Sequence, residues 1–225
     1  MMFVMIDDSD DSHHVWCQGV GASVKVSKEQ AAQHRAAIVE AASRLFRERG
    51  VDGVGVAEIT RAAGLTHGGF YGHFASKEAL AEEACAQSFE VVEQRLLERL
   101  GAEGGLDALL DTYLSPRHRD DPGDGCPMPA LAGEIPRRDE TLQASFSAGV
   151  ATYIDALADE LRAQGLAQPE ARARAVLLVS TLVGGLLLAR ATARAKPELS
   201  NELLATLRRE LAVEGATARP DRPPR

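Results

Sequence analysis

One run of residues, AVLLVSTLVGGLLLA from Ala175 to Ala189, constrains the chain most. It is apolar nearly all round, and a helix with that pattern must be buried on several sides. It falls short of the roughly 20 residues that a membrane span needs. No membrane segment is therefore expected, and other helices must surround the run. Gly184 and Gly185 let one of them come close. The amphipathic segment from Glu198 to Leu211 is a natural partner. Two arrangements satisfy this pattern. In one, the two segments form half of a four-helix bundle between two copies, with Leu178, Leu182, Gly185, Leu186, Leu203 and Leu207 at the interface. In the other, the run is buried within a single chain.

The rest of the sequence supplies the helices that such a run requires. The 225 residues are 45% hydrophobic but only 4% aromatic, and clusters at strand spacing are scarce, which predicts an all-α chain. Ser27 and Gln30 have the spacing of a capping box. Ile38, Ala41, Ala42, Leu45 and Phe46 then mark one buried stripe up to Gly50. A short helix follows from about Val56 to Ala63, with Ile59 and Ala63 inward, and Gly64 breaks it. Ser76 caps a long helix reaching about Leu100, with Glu78 in its first turn. Further helices are expected over Leu106 to Leu114, Cys126 to Ile135, Asp139 to Arg162, Pro169 to Arg194 and Pro197 to Val213. The intervening SPRHRDDPGDG reads as a polar, mobile loop. Residues 1–26 read as a disordered arm and 215–225 as a disordered tail. His13, His14 and Cys17 could hold a metal in that arm, but a solvated tail is the preferred account of them, so no metal or cofactor is assigned.

Between the short helix and the long one lies LTHGGFYGHF, Leu65 to Phe74. Gly68, Gly69 and Gly72 stand where a helix should run, and each weakens it by roughly 1 kcal/mol relative to alanine. Two short helices joined by a tight Gly-containing turn form a helix-turn-helix, whose second helix enters the DNA major groove. The groove is about 12 Å wide, which a helix with its side chains nearly fills. Glycine at 68 and 69 removes bulk and lets the backbone approach bases and phosphates. Thr66 sits at the N-cap position and can also touch a phosphate, and His67 can reach a base edge. Tyr71 and His73 suit phosphate contacts. Lys77, at the next helix start, makes an anion site with the local N–H groups. Phe70 and Phe74 are core residues. Arg44, Arg47 and Arg49 read as a solvated face.

The pattern AAGLTHGGFYGHFASKEAL, with IVEAASRLFRERGVDGVGVAEIT before it, resembles the DNA-binding signature of the TetR/AcrR family of transcriptional regulators. Its hallmarks stand here as Tyr71-Gly72-His73-Phe74 and Ser76-Lys77-Glu78. The chain departs from the family at Gly55-Val56, where many members place a hydroxyl. It also departs at Thr66-His67, where Ser-Lys or Ser-Arg is common, and at Gly72, where a second aromatic is common. The resemblance implies a three-helix DNA-binding domain over residues 27–75. It also implies a helical ligand-binding and dimerisation domain over 76–214. It implies a homodimer on double-stranded palindromic DNA, a small-molecule effector, and repression as the usual mode.

An effector chamber would lie between the long helix and those that follow. Phe89, Val92, Leu96, Tyr113, Met128, Leu131, Phe146 and Tyr153 are candidate linings for an apolar or aromatic molecule. Cys126 lies at an expected helix N-terminus, whose field lowers a thiol's pKa. That makes it a candidate oxidant or electrophile sensor, against the plainer reading of a small buried residue. Arg137 and Arg138 could anchor an anionic effector, against the plainer reading of exposed charges.

The net charge of −8 argues against a general nucleic-acid coat protein. The acidity lies outside the helix-turn-helix segment, since basic side chains slightly outnumber acidic ones from Ser27 to Leu80. Three widely spaced cysteines form neither a zinc pattern nor a disulfide framework, which fits a cytoplasmic protein. No phosphate-binding glycine loop, HExxH or nucleophile–base pair is present, so no enzyme is expected. The alternative to a regulator is a helical ligand-binding protein or enzyme that does not bind DNA.

Overall fold

The structure is a computed structural model and describes residues 27–217, with the side chains of His67 and of 213–217 outside the description. The expected arm with His13, His14 and Cys17, and most of the expected tail, lie outside the described residues. All regular elements among the described residues are helical.

The first three helices are α1 (Lys28–Arg49), α2 (Val56–Ala62) and α3 (His67–Phe70). Ser27 caps α1, its Oγ accepting from the Gln30 N–H at 3.0 Å. Gly50, at φ 76°, donates to the Phe46 carbonyl and ends the helix in the left-handed conformation that glycine tolerates. Ile38, Ala42, Phe46, Ile59, Phe70 and Phe74 close a small core beneath these helices.

The long α4 (Lys77–Gly101) starts at Ser76, whose Oγ accepts from Ala79 N–H at 3.1 Å. Caps of this kind contribute about 1 kcal/mol each. α4 packs on α1 through one face and on α5 (Leu106–Tyr113) and α8 (Glu140–Ala163) through others. Between α1 and α4 the buried Ser43 and Ser88 hydroxyls hydrogen-bond at 2.8 Å. Between α4 and α8 the fit is set by Gly149, where a Cβ would stand 2.1 Å from the Phe89 ring. Phe89 in turn meets Phe146 edge-on at 5.4 Å. A rigid ring cannot give way as a flexible chain end can. Gly149→Ala is therefore expected to destabilise the protein by about 1–3 kcal/mol. A thermal melt should record a fall of roughly 2–4 °C per kcal/mol for a chain of this size.

α9 (Gln168–Thr192) packs against α8 and α10 (Pro197–Thr217). The helix is longer than its apolar run, and by length and composition alone it could cross a membrane. Its tertiary packing is that of a core helix instead, with Leu178, Leu182 and Leu186 wholly buried inside the single chain. This corrects the expected interface, because residues with no exposed surface cannot touch a second copy. Gly185 faces α10, with a Cβ there reaching 2.1 Å from Leu207, and Leu203 and Leu207 pack against the same core. The exposed apolar residues of α9 are Val176, Leu177, Leu187 and Leu188.

The segment expected to be a mobile loop is ordered. It forms α6 (Pro116–Asp120) and a 3₁₀ turn over Pro122–Asp124. Arginines from three helices hold it. Arg47 of α1 donates to the Gly123 carbonyl from Nε at 3.0 Å and also from Nη2, while its Nη1 reaches Ser43. Arg95 of α4 binds Asp124 at 2.7 Å. Arg190 of α9 donates to the His118 and Arg119 carbonyls. Arg47 is thus a bridge between α1 and this segment, not part of a solvated face. Arg44 and Arg49 keep exposed partners, Glu48 and Glu58. The helix expected from Cys126 to Ile135 is only α7 (Met128–Leu131), followed by a 3₁₀ turn over Ile135–Arg137. Pro127, Pro129 and Pro136 cannot all serve a continuous helix. Arg138 is not a free exposed charge, since it pairs with Asp52 at 2.8 Å and with Glu134. Glu134 also accepts from the Val51 N–H at 3.0 Å.

Candidate nucleic-acid interface and inner cavity

Gly64, at φ 73°, makes the turn between α2 and α3. Thr66 begins α3 in an extended conformation without a side-chain cap, so its hydroxyl is not committed to the helix. α3 has only four residues, yet the helical course continues: Phe74 N–H reaches the Phe70 carbonyl at 3.0 Å. Phe70 and Phe74 point into the core, their rings 5.6 Å apart. That anchors one side of the segment and turns the other outward. Thr66, Gly68 and Tyr71 are exposed, Tyr71 to 65%, and Gly69, His73 and Lys77 are half-buried. The His67 side chain lies outside the described residues.

The glycines here are not required by the fold. Among the described residues the left-handed glycines are Gly50, Gly64, Gly104, Gly105 and Gly165, none of which belongs to the recognition segment. A Cβ at Gly68 would meet nothing within 4 Å, and one at Gly69 would touch Thr66 Oγ1 at an ordinary 3.9 Å. The chain's own packing does not require a glycine at either position.

The second site is a cavity of about 310 Å³ between α4, α5, α8 and the 115–126 segment. Of the expected lining residues, Val92, Tyr113, Cys126 and Tyr153 meet there, whereas Phe89, Leu96, Met128, Leu131 and Phe146 belong to the packing around it. The sequence reading missed the polar half: Arg95, Arg99, Arg117, His118, Asp121 and Asp124. Part of that was available, because Val92, Arg95 and Arg99 follow one another at three and four residues and so share a helix face.

His118 is held as a neutral imidazole. Its Nδ1 faces the Tyr113 carbonyl at 2.8 Å and must carry the proton, and its Nε2 accepts from the Cys126 N–H at 2.9 Å. Burial pushes its pKa down to about 4. Cys126 is 3% exposed, and burial raises its thiol pKa, opposite to the expected lowering by a helix end. α7 is one turn long and starts beyond Cys126, so its field is weak there. The sensor role is accordingly withdrawn. Burial also raises Cys85, to about 11. The Tyr113 hydroxyl is buried beside the Cys126 thiol but closes no well-formed hydrogen bond.

An exposed helix-turn-helix joined to a helical, cavity-bearing domain defines a DNA-binding transcriptional regulator. The family model for bacterial regulatory proteins of the tetR family matches residues 38–84. A model for the C-terminal domain of LmrA/YxaF-like transcriptional regulators matches 105–199. An uncharacterised HTH-type transcriptional regulator of Mycobacterium tuberculosis is 32% identical over 188 residues, 77% of this chain and 95% of that protein. The HTH-type transcriptional regulator LmrA of Bacillus subtilis is 26% identical over 170 residues, 73% of this chain and 90% of its own length. A TetR regulator from Chloroflexus aurantiacus superposes with a TM-score of 0.66 at 27% identity, covering 82% of this chain and 96% of that one. The reduced form of Escherichia coli NemR shares the fold, with a TM-score of 0.64 at 24% identity, covering 77% and 94%. The chain belongs to the TetR family of bacterial transcriptional regulators.

Proposed function

We propose that this regulator is a homodimeric repressor that binds a palindromic operator and is released by a small molecule in the inner cavity. The observation that carries the DNA-binding surface is the bare backbone opposite the Phe70–Phe74 anchor, exposed at Gly68 and half-buried at Gly69, with room for a side chain that is absent. Thr66, Tyr71, His73 and Lys77 surround it as phosphate contacts, and His67 reads a base edge. Leu177, Leu187 and Leu188 on the outer face of α9 are the contacts we assign to the dimer. Two copies would then present recognition segments about 34–36 Å apart, one turn of DNA.

Release follows from linkage: a ligand that prefers the conformation unsuited to DNA weakens DNA binding by its differential affinity. Two routes run from the cavity to the DNA-binding helices. Asp124, at the cavity wall, sits in the turn whose Gly123 carbonyl is held by Arg47 of α1. α4 carries Val92, Arg95 and Arg99 at the cavity and Lys77 at the recognition segment.

Gel shifts with DNA from upstream of the protein's own gene test the reading. Tyr71→Ala and Lys77→Ala should each weaken binding to all sequences, and His67→Ala should change base preference. Equal loss on every operator for His67→Ala would remove its assigned role. No specific retardation by the unmodified protein on that DNA, or on sequences selected from a random pool, would overturn the operator reading.

A further inference from the structure

We propose that the cavity takes a small organic anion, a carboxylate on an apolar or aromatic body. This rests on the reading of the cavity as the effector site. The floor, with Val92, Leu109, Tyr113 and Tyr153, provides the apolar and aromatic surface. Its volume of about 310 Å³ is at the small end of the ~300–1,000 Å³ typical of such sites.

The polar groups decide the charge. The Tyr113 side chain is 5% exposed and lines the cavity, while its hydroxyl lies against the Cys126 thiol without a well-formed hydrogen bond. Close behind it, Arg190 has a buried Nη1 that is without a partner. Both atoms are shielded from the cavity, and Arg190 does not line it, so the groups a ligand can reach lie elsewhere. At the rim, Arg99 and Arg117 form no ion pair among the described residues, and the Arg99 charge reaches His118 and Tyr153. The two carboxylates of the lining are already engaged. Asp124 binds Arg95, and Asp121 faces Arg44 at 3.6 Å while accepting from the Asp124 N–H. His118 has both ring nitrogens committed. A cationic ligand would meet the unpaired Arg99 and Arg117 and no free carboxylate, whereas a carboxylate would meet two guanidinium groups without an ion-pair partner among the described residues.

Isothermal titration of the full-length protein with 3-phenylpropionate, 3-phenylpropionamide and 3-phenylpropylamine tests this. The acid should bind roughly tenfold or more tightly than either of the others, the scale of a charge-assisted hydrogen bond. Arg99→Gln should erase that preference. Equal or tighter binding of the amide or amine would overturn the anion assignment and leave the cavity as a binding site. Failure of all three to bind at millimolar concentration would also overturn it. If the acid binds with this preference and the operator complex survives, the ligand class stands and the effector reading fails.

Discussion

Replacing Gly68 and Gly69 together by alanine should produce a more stable protein that binds its operator far more weakly. The two effects have separate causes. Neither glycine has a left-handed backbone, and a Cβ at either position has space. Alanine in place of glycine inside a helix is favoured by up to about 1 kcal/mol per site. The gain will fall short of that in a helix of four residues, but a thermal melt should still move upward by a few degrees. On DNA the two methyl groups occupy the space through which the backbone approaches the groove. The loss of close contacts to bases is worth about 1–3 kcal/mol, or roughly 5- to 150-fold in affinity, read by fluorescence anisotropy at one fixed salt concentration. Unchanged affinity would sink the close-approach reading. A lower melting temperature would show that the glycines serve the fold after all.

The second large effect concerns pH. His118 has a folded-state pKa of about 4, against an ordinary 6.5, because burial opposes the imidazolium. Between these values the unfolded chain holds more protons than the folded one, so stability rises with pH across the window. The contribution is fully present above about pH 6.5 and is lost as the pH falls toward 4. Its size is about 3 kcal/mol. Urea denaturation at a series of pH values should show this slope, and His118→Asn should flatten it while lowering stability at neutral pH. Asp52, hydrogen-bonded by Arg138, and Asp139, hydrogen-bonded by Thr141 and the Leu142 N–H, have pKa values lowered below 3.8. Their losses therefore come at lower pH, which leaves the upper part of the window to His118. An equally steep slope in His118→Asn would exclude the assignment.

Helix ends were legible in the sequence wherever a local side chain fixes them. Ser27 and Ser76 cap as expected, and Gly50 and Gly64 stop their helices in the left-handed conformation. The 115–125 segment was not legible, because its order comes from Arg47, Arg95 and Arg190, which are distant in sequence. A polar loop held by remote arginines has the same composition as a mobile one. α9 failed in another way. When a helix is apolar all round, its pattern carries no phase, so nothing in it distinguished Leu178 and Leu182, turned inward, from Leu187 and Leu188, turned outward. For Cys126 the local signal was overridden by burial. The cavity was half legible: its tyrosines and Val92 were expected, but its arginines looked like surface charge.

The clamp of Glu134 on the Val51 N–H, with Arg138 on Asp52, bears on how far this protein can be treated as interchangeable parts. Together with Arg47 on Gly123, it fastens α1 and the turn that follows it to the rest by contacts that depend on both sides. A hybrid made by grafting this head onto a foreign helical body would lose these ties, unless the acceptors for Arg47 and Val51 travelled with it.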